Sequence, residues 1–218
     1  MDELDCLHAD GDLLVLAKPS GLLCVPGRGP GKQDALSTRA QARWPGALIV
    51  HRLDQATSGL VLMARHPAAQ RLLSDAFAQR RVDKRYHAIV RGQPAAPEEW
   101  NLIDLPLSAD WPRRPLQKVN LADGKPSQTL WRPLRHDAAR DATLLELQPL
   151  TGRTHQLRVH LAAIGHPILG DALYADEATQ ALAPRLLLHA SGLRFAHPGH
   201  GGECVFRAPA EFLSQIGL

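Results

Sequence analysis

Residues 49–65 read IVHRLDQATSGLVLMAR. Two apolar runs, Ile49-Val50 and Leu60–Met63, close around His51, Arg52, Asp54, Gln55, Thr57, Ser58 and Gly59. Short apolar runs bounded by turn residues read as buried strands, so the stretch is predicted as strand, polar loop, strand. Asp54 is the one carboxylate in it. A charge between buried strands is costly unless something holds it. A turn aspartate bonded to its own backbone would meet that need, and Thr57, Ser58 and Gly59 suit the same tight turn. Arg52, two residues away, could point outward at a phosphate or base.

Upstream, DLLVLAKPSGLLCVPGRG reads as a strand, a Pro-Ser-Gly turn and a second short strand. Asp34 is placed to cap a helix through LSTRAQARW, stopped by Pro45-Gly46. Downstream, PAAQRLLSDAFAQRRV carries Ala69, Leu72, Leu73, Ala76 and Phe77 at helical spacing, and its end collects Arg80, Arg81 and Lys84. YHAIVRG, SQTLWRPLRH and ATLLELQPL alternate as strands, whereas QPAAPEEWNLIDLPLSADWPRRPLQK is Pro-rich and reads as an extended connection. TGRTHQLRVHLAAIGHP is predicted as a helix with Leu157, Leu161 and Ile164 on one face. PRLLLHASGLRFAHP and GECVFRAPAEF complete the chain as strands. Strands without a regular strand–helix–strand rhythm imply an α+β fold with a mixed or antiparallel sheet.

At 218 residues and 44% hydrophobic, the chain can bury a full core, and one domain over 1–218 is expected. No apolar run approaches the ~20 residues of a membrane span. MDELDCLHADGD is acidic where a signal peptide would be basic, so a cytoplasmic protein is expected. Cys6, Cys24 and Cys204 are scattered and odd in number, which favours reduced, mostly buried thiols. His155 and His160 would stand about 140° apart on a helix and would not chelate together, so no metal is expected. Net charge is only +3, but residues 39–91 hold ten cations against three anions. That bias, strongly towards arginine, suits a polyanion and bidentate phosphate contacts.

Two further places carry chemistry. Tyr86 follows Lys84-Arg85 at the start of an apolar strand, where it could stack on a nucleobase or pack in the core. LTGRTHQLRVH brings Arg153, His155, Gln156 and Arg158 together within less than two turns. The two arginines, five apart, point different ways, so one faces a core site and one the solvent. An inward arginine needs a carboxylate, for which Asp54 is a candidate.

HRLDQATSGLVLMAR closely resembles the active-site signature of pseudouridine synthases of the RluA type. AKPSGLLCVPG, DKRYHAIVRG, GKPSQT, LTGRTHQLRVHLAAIGHPILGD and RLLLHA resemble that family's blocks, in the family's order, across nearly the whole chain. DLPLSADWPRRPLQK and the lack of an N-terminal S4-type RNA-binding domain resemble its short, dual-specificity members.

The resemblance implies a pseudouridine synthase fold. That is a single α+β domain with a central mixed, mostly antiparallel sheet, flanked by helices and loops, and an RNA-binding cleft across it. It implies isomerisation of uridine without cofactor or metal, in a 23S rRNA hairpin loop and a tRNA anticodon stem-loop; separately, the sequence offers no obvious dimerisation segment, so a monomer is expected. Asp54 is then the catalytic aspartate, either attacking C1′ or stabilising an oxocarbenium-like state on the way to a glycal. Tyr86 matches the tyrosine that stacks on the uracil, and Arg158 the arginine that pairs with the aspartate, with Arg153 the alternative. A cation there would favour the charged carboxylate.

Leu188, or Leu186 on the same face, matches the residue packed on the extruded base. Arg52 would fill the space that base vacates. His51, Thr57, Arg113, Arg114, Lys118 and Arg153 complete the expected RNA contacts. A single carboxylate suits this chemistry, since glycoside hydrolysis generally uses two. A hydrolytic relative would need a second carboxylate, and Asp171 in ILGDALY is the candidate. A non-catalytic RNA-binding protein on the same fold would need Asp54, Tyr86 or Arg158 replaced, and all three are present. The glycine-rich GRGPGKQ (27–33) lacks the Gly-Lys-Ser/Thr ending of a phosphate loop.

Overall fold

The computed structural model describes residues 4–95 and 99–215. The chain forms two compact units, one of residues 1–84 with 190–209, the other of 85–189 with 210–218. In chain order the elements are β1 Asp5–Ala9, β2 Leu13–Lys18, α1 Leu36–Arg43, β3 Leu48–Ile49, β4 Ser58–Ala64, α2 Pro67–Ala78 and β5 Asp83–Arg91. There follow β6 Asn101–Asp104, β7 Leu107–Ala109, a 3-10 turn Trp111–Arg113, β8 Gln117–Val119, β9 Gln128–Asp137 and β10 Ala142–Pro149. The last elements are α3 Gln156–Ala163, α4 Glu177–Ala181, β11 Leu188–Ala196, β12 Glu203–Arg207 and α5 Phe212–Gln215.

In the first unit the strands run in the order β1-β2-β4-β11, with β3 on β4 and β12 on β11. β1 with β2, β2 with β4, and β11 with β12 are antiparallel. All seven residues of β4 are buried, as its apolar run predicts. Leu13 and Val15 of β2 and Leu60, Leu62 and Ala64 of β4 recur with the period of two that puts side chains on one face. They meet Ala69, Leu73 and Ala76, the i, i+4, i+7 stripe of α2, together with Leu193 and Phe195 of β11. α2 begins at Pro67, where the His66 ring accepts a hydrogen bond from Ala69 N–H.

A polar clasp binds three distant segments of this unit. The Asp10 carboxylate bonds to His8 at 2.7 Å and to His197 at 3.0 Å, and Asp12 bonds to His66 at 2.9 Å. Burial alone would raise the Asp10 pKa. Bonds to His8, His197 and the amides of Leu13 and Asp12 outweigh it and hold the group well below the usual carboxylate range.

In the second unit the order is β5-β10-β9-β6, antiparallel in β5–β10, β10–β9 and β6–β9. β7 and β8 form a separate hairpin. The loops between them are tied by side chains: Gln156, buried at the head of α3, bonds Thr151, Gln128 and Thr129, and His160 bonds Thr129 and the Leu105 carbonyl.

Several expectations need correction. The acidic N-terminal stretch supplies a strand, β1, whose alternation is masked by its two half-exposed polar positions. LLCVPG makes only a single bridge, Leu23 to Ala35. Asp34 does not cap α1: Ala35 holds that position, and Asp34 forms two hydrogen bonds with Arg39. α2 ends at Ala78, ahead of Arg80, which turns to φ 58° and ends the helical path. Leu72 faces solvent, so the apolar stripe is narrower than its sequence spacing implies.

α3 starts at Gln156 because His155 adopts a left-handed conformation (φ 54°) and Thr154-His155 form a turn. The helix is buried on nearly every side, Arg158 and His160 included. The Pro-rich connection contains β6, β7 and β8, and its residues 96–98 lie outside the described residues. GECVFRAPAEF is a strand only to Arg207, and α5 follows. Cys24 is buried, whereas Cys6 and Cys204 are half-buried, and all three are free thiols. No helix among the described residues is long and apolar enough to cross a membrane.

Candidate functional site

The loop of residues 50–57 runs from β3 to β4, and the Lys18-Pro19-Ser20-Gly21 turn holds its backbone. Lys18 is 1% exposed, yet its ammonium donates to the carbonyls of Pro19, Leu22 and Gln55 at 2.8, 2.8 and 3.0 Å. Gly21 N–H also reaches the Gln55 carbonyl at 2.9 Å, and Ser20 Oγ the Ala56 carbonyl at 2.7 Å. The Gln55 amide returns a bond to the Gly21 carbonyl. Next to Asp54, Leu53 N–H bonds the buried Cys24 sulfur at 3.2 Å, and Thr57 N–H closes the turn on the Asp54 carbonyl at 3.1 Å. Burial pushes the Cys24 thiol pKa up. The result is a loop whose polypeptide is pinned on both sides of a half-buried Asp54.

Around it, Arg52 is exposed and Thr57 is buried. His51 turns inward: its ring stacks on Phe77 at 4.4 Å, and Nε2 accepts from Leu62 N–H at 3.0 Å. Burial, with the nearby Lys84 charge, pushes the imidazole pKa down to about 3, so the ring is neutral. Gly59 has φ 113°, and a Cβ there would run into the Ala190 backbone. Only glycine allows β4 to start so close to β11.

The second unit carries Tyr86, half-buried on β5 opposite Leu147, and Arg158, 4% exposed on α3. Arg158 Nε and Nη2 bond Asp171 Oδ2 and Oδ1 at 2.8 and 2.6 Å. Asp171 Oδ1 also accepts from the amides of Leu173 and Tyr174. Asp171 is therefore a turn aspartate and the carboxylate that fixes the inward arginine. The Tyr174 ring lies under the Arg158 guanidinium at 5.0 Å. Its hydroxyl meets His155 Nδ1 at 2.6 Å and accepts Gln117 N–H of the β7–β8 hairpin at 2.9 Å.

Arg153 is exposed outside α3, its Nε reaching only the Pro126 carbonyl at 3.4 Å, so the inward and outward arginines are Arg158 and Arg153 respectively. Leu186 and Leu188 are both buried. Arg113 binds the buried Asp110 carboxylate, Lys118 stands 4.0 Å from it, and Arg114 lies on the Trp111 ring.

Sequence reading missed Lys18, Tyr174 and Trp111. Lys18 could have been found from its place at the end of an apolar strand, where alternation buries it. The other two follow only from the folded hairpin.

The rings of His155 and His160 bond the Tyr174 hydroxyl and Thr129 respectively. Among the described residues, Asp10, Asp12 and His197 have ligand atoms within 4.8 Å of one another. They are already joined through the clasp and its backbone bonds.

Residues 12–163 match the family model of RNA pseudouridylate synthases. The chain is 49% identical over 206 residues to an Escherichia coli K12 protein named dual-specificity RNA pseudouridine synthase RluA, covering 94% of this chain and 93% of that one. A protein of the same name from Vibrio parahaemolyticus is 45% identical over 215 residues, 97% and 85% of the two chains. Among solved structures, human RNA pseudouridylate synthase domain containing 1 superposes with TM-score 0.83 at 29% identity over 98% of this chain and 86% of that one. Human domain containing 4 gives TM-score 0.76 at 26% identity, over 96% and 90%. The fold is thus the mixed, mostly antiparallel sheet with few helices that these proteins share.

Proposed function

The chain belongs to the RNA pseudouridylate synthases, and on that premise we propose that it is a dual-specificity enzyme for one uridine in a 23S rRNA hairpin loop and one in a tRNA anticodon stem-loop. In this reading the N1–C1′ bond of the uridine breaks, the uracil turns over, C5 bonds to C1′, and the C5 proton is released while N1 takes one up. Asp54 acts at C1′, on a loop whose backbone Lys18, Ser20 and Gly21 immobilise. Preorganised placement of this kind lowers a barrier because little has to move during reaction.

Tyr86 stacks on the uracil, and Arg158, fixed by Asp171, is the catalytic cation. Arg52 occupies the place of the extruded base and Leu188 packs on it, with Thr57 nearby. His51, held neutral against Phe77 and Leu62, contributes by fixing the loop entrance. Arg113, Arg114, Lys118 and Arg153, all exposed, contact the RNA backbone.

One observation favours isomerisation over glycoside hydrolysis. Hydrolysis generally uses a second carboxylate as acid, base or nucleophile. Asp171, the candidate for that part, is buried and has both oxygens bonded to Arg158.

The test is tritium release from RNA labelled at uracil C5, comparing the intact protein with Asp54→Ala on a 23S hairpin and an anticodon stem-loop. Release from both by the intact protein alone, without free uracil, is expected. Release from one RNA would overturn the dual assignment and keep the synthase. Free uracil in the product would overturn isomerisation.

A further inference from the structure

Trp111 is 67% exposed, within a run of five exposed residues, Trp111-Pro112-Arg113-Arg114-Pro115. Single exposed aromatics are common on protein surfaces, so exposure alone says little. The arrangement around this one says more. The Arg114 guanidinium lies 3.6 Å from the centre of the indole, so two flat groups are stacked at the tip of the β7–β8 hairpin.

The tip is fixed from beneath by Asp110. Its carboxylate, 5% exposed, accepts Arg113 Nε and Nη2 at 2.7 and 2.6 Å. Its backbone N–H bonds the Leu116 carbonyl, and its carbonyl accepts Arg113 N–H. Tyr174 hydroxyl anchors the next residue, Gln117. Residues 105–126 carry Arg113, Arg114, Lys118 and Lys125 against Asp110 and Asp123, and Asp110 is committed to Arg113.

A rigid, exposed indole–guanidinium stack among cations has the chemistry of a nucleobase platform. Every base offers a π-face to an aromatic ring, an arginine plane adds a cation–π contact, and neighbouring cations take the phosphates on either side. A rigid tip loses little freedom on binding. The exposed side chains that follow the indole in sequence are prolines and arginines, which suit a polyanion better than an apolar protein surface. We propose that Trp111 and Arg114 form a stacking platform for one unpaired nucleobase of the substrate RNA, with Arg113 and Lys118 on the flanking phosphates. This rests on the RNA synthase reading and adds a base contact where that reading has only backbone contacts.

The experiment measures Kd, kcat and KM of the full chain for an anticodon stem-loop and for the same RNA with abasic residues placed singly in the loop. Losing one base–aromatic stack weakens binding about 5- to 150-fold. Trp111→Ala should raise Kd and KM together within that range, with the change residing in KM. Trp111→Phe should restore most of the affinity, and Leu121→Ala, exposed on the same connection, should bind as the intact protein does.

One abasic position should weaken the intact protein but leave Trp111→Ala indifferent. Trp111→Ala should keep the salt dependence of binding, while Arg113→Ala or Lys118→Ala should each reduce its logarithmic slope by about 1. An unchanged Kd for Trp111→Ala, or the same loss at every abasic position in both proteins, would overturn the platform. So would an equal loss in Leu121→Ala. Absence of tritium release by the intact protein would count against the synthase reading, while the binding measurements would still decide the platform.

Discussion

Asp171→Ala removes the carboxylate that fixes Arg158. Arg158 and Asp171 are almost wholly buried, at 4% and 1% side-chain exposure respectively, so bulk solvent does not screen the charge left behind. Two charge-assisted bonds disappear together, at 2.8 and 2.6 Å. Breaking a buried pair by removing one partner costs about 3–5 kcal/mol. The Leu173 and Tyr174 amides also lose their acceptor, but they lie at a more open turn and add less. For a chain of this size each kcal/mol lowers Tm by about 2–4 °C, so a fall of about 6–20 °C is expected in thermal unfolding followed by circular dichroism.

Asp171→Asn keeps one acceptor oxygen and should fall less. The double variant Asp171→Leu/Arg158→Met replaces the pair with apolar groups and should regain a large part of the lost stability. It should remain inactive in tritium release, which separates holding the fold from holding the arginine. A Tm within about 2 °C of the intact protein for Asp171→Ala, or a double variant no more stable than the single, would refute the reasoning.

Gly59→Ala forces a side chain into φ 113° and against the Ala190 backbone; a loss of about 4 kcal/mol or more is expected in urea unfolding. Gly46→Ala, at φ 86° with 3.6 Å of room, should cost about 1 kcal/mol. Lys18→Met deprives three carbonyls of one shared donor and leaves Gln55 held by Gly21 alone, so kcat should fall about 100-fold, as misplacement of a catalytic group does; an unchanged kcat would remove Lys18 from the positioning of the loop. The His51 pKa lies near 3 when folded and near the ordinary imidazole value of 6.5 when unfolded, so the unfolded chain binds the extra proton first. Stability should therefore decline as pH falls from about 6.5 towards 3, by up to about 1.4 kcal/mol per pH unit. His51→Gln, able to accept from Leu62 N–H without titrating, should flatten that part of the urea-midpoint profile, and a profile parallel to the intact protein's would exclude His51 as its source.

Strands β2, β4, β5, β9 and β10 were legible because their apolar runs are long and bounded by turn residues. β1, β6, β7 and β8 were not, since short strands with prolines or half-exposed polar positions carry little periodic signal. The start of α3 was misread because helical spacing extends back through Thr151, while tertiary bonds of Gln156 and the left-handed His155 decide where the helix begins. Motif order carried the site residues into view, but not their supports. That one of Arg153 and Arg158 faces inward followed from their five-residue spacing and that it is Arg158 from the motif, whereas its pairing with Asp171 joins residues 13 apart across a turn that local pattern does not fix.

The first unit is discontinuous: residues 190–209 complete it after Arg85–His189 have been added to the chain. Leu193 and Phe195 belong to its core and Phe206 packs against it, and β11 is the neighbour of the fully buried β4. On a ribosome adding ~5–20 residues per second, those 105 intervening residues take roughly 5–20 s. For that interval the nascent chain presents β4 with one open edge and α2 over an unfinished core. The strand that follows the Asp54 loop thus waits on translation, exposed to chaperones and to other chains, until β11 arrives beside it.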